Sequence, residues 1–174
     1  VLSRGLGDVY KRQEFIFYTK KDPKTLITNK VFKHKLGDKQ ENDLLIYEEN
    51  DPEFNLGISK SRLKKYLFIN ISKTESSETW ILDLAKDNAK PICFLKRQEN
   101  HLYGVTENDD CFYVITNIDN CKNFKLVKTN LNLSNDLSNW KTIIDHSEES
   151  YIEGLDTFKD YFYLETREDG LPKI

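Results

Sequence analysis

Three histidines are the first side chains to consider as catalytic bases or metal ligands, because imidazole performs both roles near neutral pH. His34, His101 and His146 lie in three different repeats of the chain, which are described below. No pair has the HxxxH spacing that places two ligands on one helix face. We therefore expect each of them to be a surface or interface histidine.

Serine, the nucleophile of many hydrolases, lacks an activating pattern in this sequence. The nucleophile elbow GxSxG is missing, and no serine stands between two glycines. An α/β-hydrolase presents its serine on such a turn, with histidine and aspartate as partners. The sequence therefore predicts that this chain contains no such catalytic arrangement.

The remaining candidate groups have simple structural interpretations. Cys93, Cys111 and Cys121 are odd in number and form no CxxC pair, so we expect free thiols in a reducing compartment.

The acidic runs DKQEND, EENDPE, ENDD and SEES lack an EF-hand pattern, and we expect solvated turns. RLKKY at 62–66 is expected to be a loop. The opening GLGDVY lacks the third glycine of GxGxxG and a preceding strand, so it is not a phosphate site. The sequence supports no catalytic, cofactor-binding or metal residue and predicts no cofactor.

Length, charge and hydropathy limit the class of protein. The 174 residues suit about one domain, and the net charge of -3 gives no indication of a nucleic-acid partner. The longest apolar runs, FIFY and CFYVI, are far too short to cross a bilayer. No signal-peptide pattern is visible at the N-terminus. We expect a cytoplasmic protein without nucleic-acid or membrane partners.

The elements that would position any site form a repeat. Four similar segments begin 51, 45 and 50 residues apart. They are short, rich in aromatic and β-branched residues, and apolar on both phases of alternation, which predicts strands covered on both faces. The segments are EFIFYTK from Glu14, KYLFINIS from Lys65, DCFYVITN from Asp110 and DYFYLETR from Asp160.

Three further strand-like elements recur in fixed order between these segments, and the last contains glycine. Gly57, Gly104 and Gly154 occupy equivalent positions 47 and 50 residues apart. A strand glycine marks a bulge or a close backbone approach, as crowding around a central axis would require. Four strands every 45 to 50 residues is typical of a β-propeller blade. An open meander or a β-sandwich is the alternative, but neither explains why glycine and the aromatic strand return together.

The repeat predicts an all-β fold, a partial β-propeller of four-stranded antiparallel blades. Two blades are complete, at about 53–98 and 100–146, and two are incomplete. The first lacks its first strand, and the last holds two strands, with another due after an Asp169-Gly170 turn. Because the chain has no methionine and stops there, we interpret it as a fragment open at both ends.

With the blades assigned, residues 15–174 resemble the N-terminal propeller of the prolyl oligopeptidase family, and within it most closely the oligopeptidase B group. The family's aromatic strand and V-(aromatic)-x-H-x-LG segment resembles FYTKKDPKTLITNKVFKHKLG. Its YEE-x-D turn resembles LIYEENDPEF, and its FLPRR-x-x-H-x-Y passage resembles FLKRQENHLYGV. Its KNF strand resembles NCKNFKLVKT, and IEGLDTFKDYFYLETREDGLPKI continues the match.

The resemblance implies a non-catalytic role for this chain in a serine oligopeptidase. In the family the propeller covers an α/β-hydrolase domain that holds the catalytic serine, aspartate and histidine, and none of these maps onto this sequence. The resemblance therefore implies that residues 14–174 are part of the propeller, contact the hydrolase domain, admit short peptides to the active site and are inactive alone. Oligopeptidase B-like enzymes cleave after Arg or Lys, so it also implies a peptide substrate of that kind.

The sequence is compatible with two other functions. A free-standing propeller could serve as an interaction scaffold, although the repeats lack WD40 and kelch signatures. A ligand-binding or secreted propeller would carry an upstream signal peptide. The downstream reading frame distinguishes the enzyme from both.

Residues 1–13 differ from the rest of the chain. VLSRGLGDVYKRQ contains two of the seven glycines and takes no part in the repeat. Its tail, SRGLGDVYKRQ, resembles a translated sequencing adapter. We interpret 1–13 as a non-native tail and 14–174 as the fragment of the propeller domain.

Overall fold

Four antiparallel sheets follow one another along the chain, as seen in a computed structural model that describes residues 14–86, 88–109, 111–158 and 160–174. The segment 1–13 lies outside the described residues. Within each sheet every strand pairs with its neighbours in sequence. The first sheet contains β1 (Phe15–Lys21), β2 (Thr28–Lys35) and β3 (Leu44–Glu48), and the second β4 (Asn55–Lys60), β5 (Tyr66–Lys73), β6 (Ser76–Asp83) and β7 (Ile92–Leu95). The third contains β8 (Tyr103–Glu107), β9 (Phe112–Thr116), β10 (Lys125–Thr129) and β11 (Lys141–Ile144), and the fourth β12 (Ser150–Thr157), β13 (Phe162–Glu168) and β14 (Leu171–Lys173).

Helical structure in the described residues is limited to single turns in loops. The 3-10 turns span Gln40–Asn42, Ile118–Asn120, Leu131–Leu133 and Leu137–Asn139. Within the described part of the chain, no helix has the length and apolarity needed to cross a bilayer.

The sheets confirm the predicted partial propeller, with complete four-stranded blades at β4–β7 and β8–β11. The last blade has one strand more than the two predicted. Asp169 and Gly170 both have positive φ, at 50° and 77°, as a two-residue type I′ hairpin turn requires. The chain therefore continues directly into β14, which pairs with β13.

The strand register confirms that the three repeat glycines are equivalent. Gly57 pairs with Asn70, Gly104 with Ile115 and Gly154 with Glu165. Each partner stands five residues after the start of its repeated aromatic segment. The expected crowding is wrong for two of them, because a Cβ added at Gly57 or Gly104 would meet no described atom within 4 Å.

The second sheet is covered on both faces, as its two-phase apolar pattern requires. Leu67 and Ile69 of β5 point into a core shared with the first sheet, where Val31 is fully buried. Between them in sequence, Phe68 points the other way, into a core shared with the third sheet. Successive side chains of a strand point to opposite faces, so one strand supplies two cores.

The sheets converge at their first strands. The close approaches between neighbouring sheets involve β4, β8 or β12, as where β8 contacts both β6 and β12. In a propeller the blades surround a central channel, so these three strands are the innermost ones. The loops that follow them lie at one mouth of that channel.

We predict that shortening Phe94 destabilises the protein strongly. Its side chain is fully buried between the second and third sheets and contacts the rings of Phe112 and Trp140. Phe94→Ala should lower the free energy of unfolding by about 3 to 5 kcal/mol, measured by urea denaturation. Ile92, on the same strand, is 55% exposed, so Ile92→Ala should cost less than about 1 kcal/mol. Equal losses for the two variants would contradict this packing of β7.

Candidate functional surface

His34 lies on the face of the first sheet that points away from the second sheet. Its Nδ1 is 2.6 Å from Oδ1 of Asp43, and the Tyr18 hydroxyl donates to the other oxygen, Oδ2, at 2.5 Å. The bond from Tyr18, followed by that from His34, lowers the pKa of Asp43 and keeps its carboxylate ionised. The histidine is thus oriented by a carboxylate, but the bonded groups include no nucleophile.

The other two histidines lie in different sheets and connections. His101 is buried beside β8, with Nε2 2.7 Å from Oγ1 of Thr116, and burial lowers the pKa of its imidazole. His146 follows β11, with Nδ1 3.9 Å from a Glu148 oxygen. The structure therefore does not bring the three histidines together. Among the described residues, no three His, Cys, Asp or Glu side chains are arranged to hold a metal ion.

The three cysteines are free thiols. Cys121 is buried, whereas Cys93 and Cys111 are partly buried. Burial raises the pKa of Cys93 to about 12, so at neutral pH it is a protonated and unreactive thiol.

The expectation that the acidic runs are solvated turns is wrong for one carboxylate in each of three runs. Glu49 of EENDPE and Glu107 of ENDD are 4% and 2% exposed, and the Asp43 side chain of DKQEND is 4% exposed. Asp110, the last residue of ENDD, lies outside the described residues. Buried carboxylates need partners: Asp43 finds them within the first sheet, whereas Glu49 and Glu107 bond to groups of neighbouring sheets.

Glu49 joins the first and second sheets through Arg97. Nη2 of the guanidinium donates to Oε1 of Glu49 at 3.1 Å, and Nη1 lies 3.0 Å from Oε2 as an ion pair. The guanidinium carbon stacks 4.1 Å from the ring centre of Phe54. The Asp51 backbone N–H also donates to Oε1 of Glu49, at 2.9 Å. The structure thus brings together the YEEND turn and the FLKR strand end, which are 48 residues apart in sequence.

A second carboxylate, Glu78, extends this network along the same interface. It accepts the Trp80 indole N–H at 2.6 Å and the Arg97 backbone N–H at 2.9 Å. The ring of Trp80 packs against Tyr47 of the first sheet. Burial, with the nearby Glu49 charge, raises the pKa of the Tyr47 hydroxyl, which therefore stays neutral.

Tyr103 joins the second and third sheets. Its hydroxyl donates to the Leu95 carbonyl at 2.5 Å and accepts the Thr79 N–H at 2.9 Å. Its backbone N–H and C=O both bond the Ser77 hydroxyl, at 2.7 and 3.0 Å. Tyr103 and His101 are the tyrosine and histidine of the H-x-Y pattern in FLKRQENHLYGV, and the His101 carbonyl accepts the Ser77 N–H, so this motif closes an interface.

The third interface, between the third and fourth sheets, is closed by the KNF stretch. The Asn123 side-chain amide donates to the backbone carbonyls of Ser147 and Glu148, and the Asn123 backbone carbonyl accepts the Ile152 N–H. These bonds hold the connection between β11 and β12 in place. All the networks from Glu49 to Asn123 lie where β4, β8 and β12 begin, which we call the lower end of the sheets.

At the opposite end, the upper end, the interfaces open into clefts. A cleft of about 590 Å³ lies between the second and third sheets, and one of about 300 Å³ lies between the first and second. The loop after β6, with Lys86 and Lys90, borders both. Lys65 of the RLKKY stretch also borders the larger cleft, in the predicted loop before β5. The upper ends of the sheets are therefore separated by open space, and these lysines form no catalytic group.

Comparison with known proteins gives a consistent result. The family model described as "Prolyl oligopeptidase, N-terminal beta-propeller domain" matches residues 10–174. This range includes the last four residues of the segment 1–13, whose interpretation as a non-native tail stays a prediction. The chain is 30% identical over 159 residues to dipeptidyl aminopeptidase BI of Pseudoxanthomonas mexicana, covering 91% of this chain and 22% of that protein. It is 32% identical over 161 residues to Protease 2 of Moraxella lacunata, covering 92% and 23%.

Solved structures agree with the sequence comparison. Oligopeptidase B from Leishmania major superposes with a TM-score of 0.86 at 29% identity, covering 92% of this chain and 22% of that one. Oligopeptidase B from Trypanosoma brucei, with covalently bound antipain, gives a TM-score of 0.82 at 30% identity, covering 91% and 22%. The chain thus spans about a fifth of the length of the relatives it matches.

We predict that Arg97 stabilises the fold far more than a neighbouring surface lysine. Arg97→Ala leaves the buried Glu49 carboxylate unpaired and should cost roughly 2 to 4 kcal/mol of unfolding free energy, measured by urea denaturation. Lys73 is the matched control, because it also lies over the Phe54 ring but pairs with the exposed Glu53. Lys73→Ala should cost below about 1 kcal/mol. Similar costs for both variants would show that the Glu49 pair does not hold the first two sheets together.

We predict that His101 makes the protein less stable at mildly acidic pH. Burial lowers the pKa of His101 in the folded state, whereas an unfolded histidine takes up a proton below about pH 6.5. The unfolded state then binds more protons, so stability falls as the pH drops from 7 towards 5. His101→Gln should reduce this dependence, measured as the melting temperature across that range. An unchanged slope in the variant would assign the pH dependence to other groups.

Proposed function

The chain belongs to the prolyl oligopeptidase family, and from this premise we propose that it forms part of the propeller that controls access to the active site of a serine oligopeptidase. The whole protein hydrolyses short peptides, after Arg or Lys as the likeness to oligopeptidase B suggests. The chain itself is non-catalytic. The serine, histidine and aspartate belong to an α/β-hydrolase domain elsewhere in the protein, which the propeller contacts.

The observation that carries this proposal is that one continuous run of blades in this chain matches the propeller of known oligopeptidases. The polar side chains of the described residues also support a non-catalytic role for this chain. His34, His101 and the buried carboxylates make bonds within sheets or between adjacent sheets. They are used to hold blades together, so the reaction itself is assigned to the other domain.

The proposed mechanism is steric exclusion combined with gating. A serine enclosed between two domains can be reached only by chains that pass the propeller or the gap beside it, and closure shields the reaction from water. The polar networks keep the lower end of the sheets rigid, whereas the clefts leave the upper end room to move. The three free thiols suit a cytoplasmic location, where they remain reduced.

We predict that the whole protein cleaves peptides in inverse order of their length. A series from about 5 to about 60 residues, each with a single arginine, should show kcat/KM falling as the peptides lengthen, because longer chains are excluded. A folded protein with exposed arginines should remain intact, whereas its tryptic-size fragments should be cleaved. Residues 14–174 alone should hydrolyse none of these substrates.

Two results would contradict the proposal. One is a reading frame that continues without a glycine-flanked serine followed by aspartate and histidine, which would favour a scaffold. The other is equal cleavage of folded proteins and short peptides by the whole enzyme.

A further inference from the structure

A contact between the second and fourth sheets passes over the end of the third. Arg62 lies in the loop after β4, and its guanidinium carbon is 3.8 Å from the ring centre of Phe158, just after β12. Phe158 in turn stacks on Tyr161, with ring centres 4.7 Å apart and planes at 13°. Both loops follow innermost strands, so this contact lies at the upper mouth of the channel.

A buried carboxylate lies beneath the contact. Glu107, at the end of β8, is 2% exposed and lines a small cavity together with Arg62, Leu63, Thr157 and Phe158. Its Oε2 accepts the Leu63 N–H at 3.3 Å, and its backbone carbonyl accepts the Thr157 hydroxyl at 2.8 Å. Its Oε1 has no hydrogen-bond partner. Glu107 therefore contacts the second and fourth sheets, while one of its two carboxylate oxygens lacks a hydrogen-bond partner.

These two features oppose each other energetically. Arg62 is exposed and Phe158 is only partly buried, so their contact is a weak one, since water competes for the cation. A buried carboxylate oxygen without a partner is unfavourable, and it gains water as soon as the covering loop moves. When Arg62 lies over Phe158, the cation–π contact is made but Oε1 of Glu107 has no partner. When the loop moves away, the contact is lost and water can bond to Glu107. The contact is thus suited to opening and closing.

We propose that Arg62 and Phe158 form a clasp at the channel mouth that determines which peptide lengths the enzyme accepts, and that Glu107 favours its opening. This inference rests on the proposed access function and assigns it to particular residues. A closed clasp links the loops of two non-adjacent blades and narrows the mouth. An open clasp lets the loops separate, so that longer peptides enter.

The test uses the whole enzyme and two arginine-containing peptides, one short and one long, that share the same cleavage site. Arg62→Ala and Phe158→Ala should each raise the ratio of kcat/KM for the long peptide to that for the short one by about two- to fivefold, the range expected for an exposed cation–π contact. Glu107→Gln should lower the ratio, because a neutral amide costs less to leave buried and unpartnered. Arg62→Lys keeps a cation over the ring and should behave as wild type.

Lys65→Ala is the matched control, since it removes one positive charge from the same loop. It should leave the ratio unchanged. Hydrogen exchange provides a second measurement: amides of residues 61–64 should exchange faster in Arg62→Ala than in Lys65→Ala, because the loop has lost its anchor.

The outcomes separate the clasp from the access function. If the wild-type enzyme prefers short peptides but the Arg62 and Lys65 variants have the same ratio and the same exchange, the clasp is wrong and the access function stands. If wild type cleaves both lengths equally, the access function is wrong and the clasp with it. A ratio that rises in Glu107→Gln would overturn the opposing role of the carboxylate.

Discussion

Burial of the two middle sheets on both faces is the constraint on which the rest of this structure depends. A strand with one apolar face could belong to many β folds, but Leu67, Phe68 and Ile69 in succession require cover on both sides. Such a sheet must therefore lie between two others. Repeating that requirement at a fixed period produces a row of stacked sheets that converge on their first strands. The positions of the loops at both ends of the sheets follow from this arrangement.

The two ends of the stack use different physical chemistry. At the lower end, buried charges and hydroxyls make bonds from sheet to sheet, and a partner missing from such a bond leaves a desolvated polar group. At the upper end Glu107 also bonds to the second and fourth sheets, but the interfaces beside it open into clefts, and the contact between Arg62 and Phe158 is a weak one at the surface. This difference allows one end to keep the blades in register while the loops at the other move. A domain that regulates access needs both properties.

The motif residues by which the chain resembles its family turn out to be residues that close interfaces. Glu49, Arg97, Tyr103 and Asn123 all lie in the stretches that resemble the family, and each one bridges two adjacent sheets or the chain that connects them. Interpreting the acidic runs as solvated turns missed this role for Glu49, because charge alone does not reveal burial. The useful signal was the resemblance of these stretches to the family.

The strands, their period, the number of complete blades and the hairpin at Asp169-Gly170 could be predicted from the sequence, because alternation and turn chemistry are local properties. The lack of a nucleophile elbow is likewise visible in the sequence. The pairing of Glu49 with Arg97, the burial of Glu107 between three blades and the contact of Arg62 with Phe158 depend on tertiary packing. These partners are many residues apart, and their meeting depends on the angle and spacing of stacked sheets. No local pattern encodes that geometry, which arises from the packing of whole faces against one another.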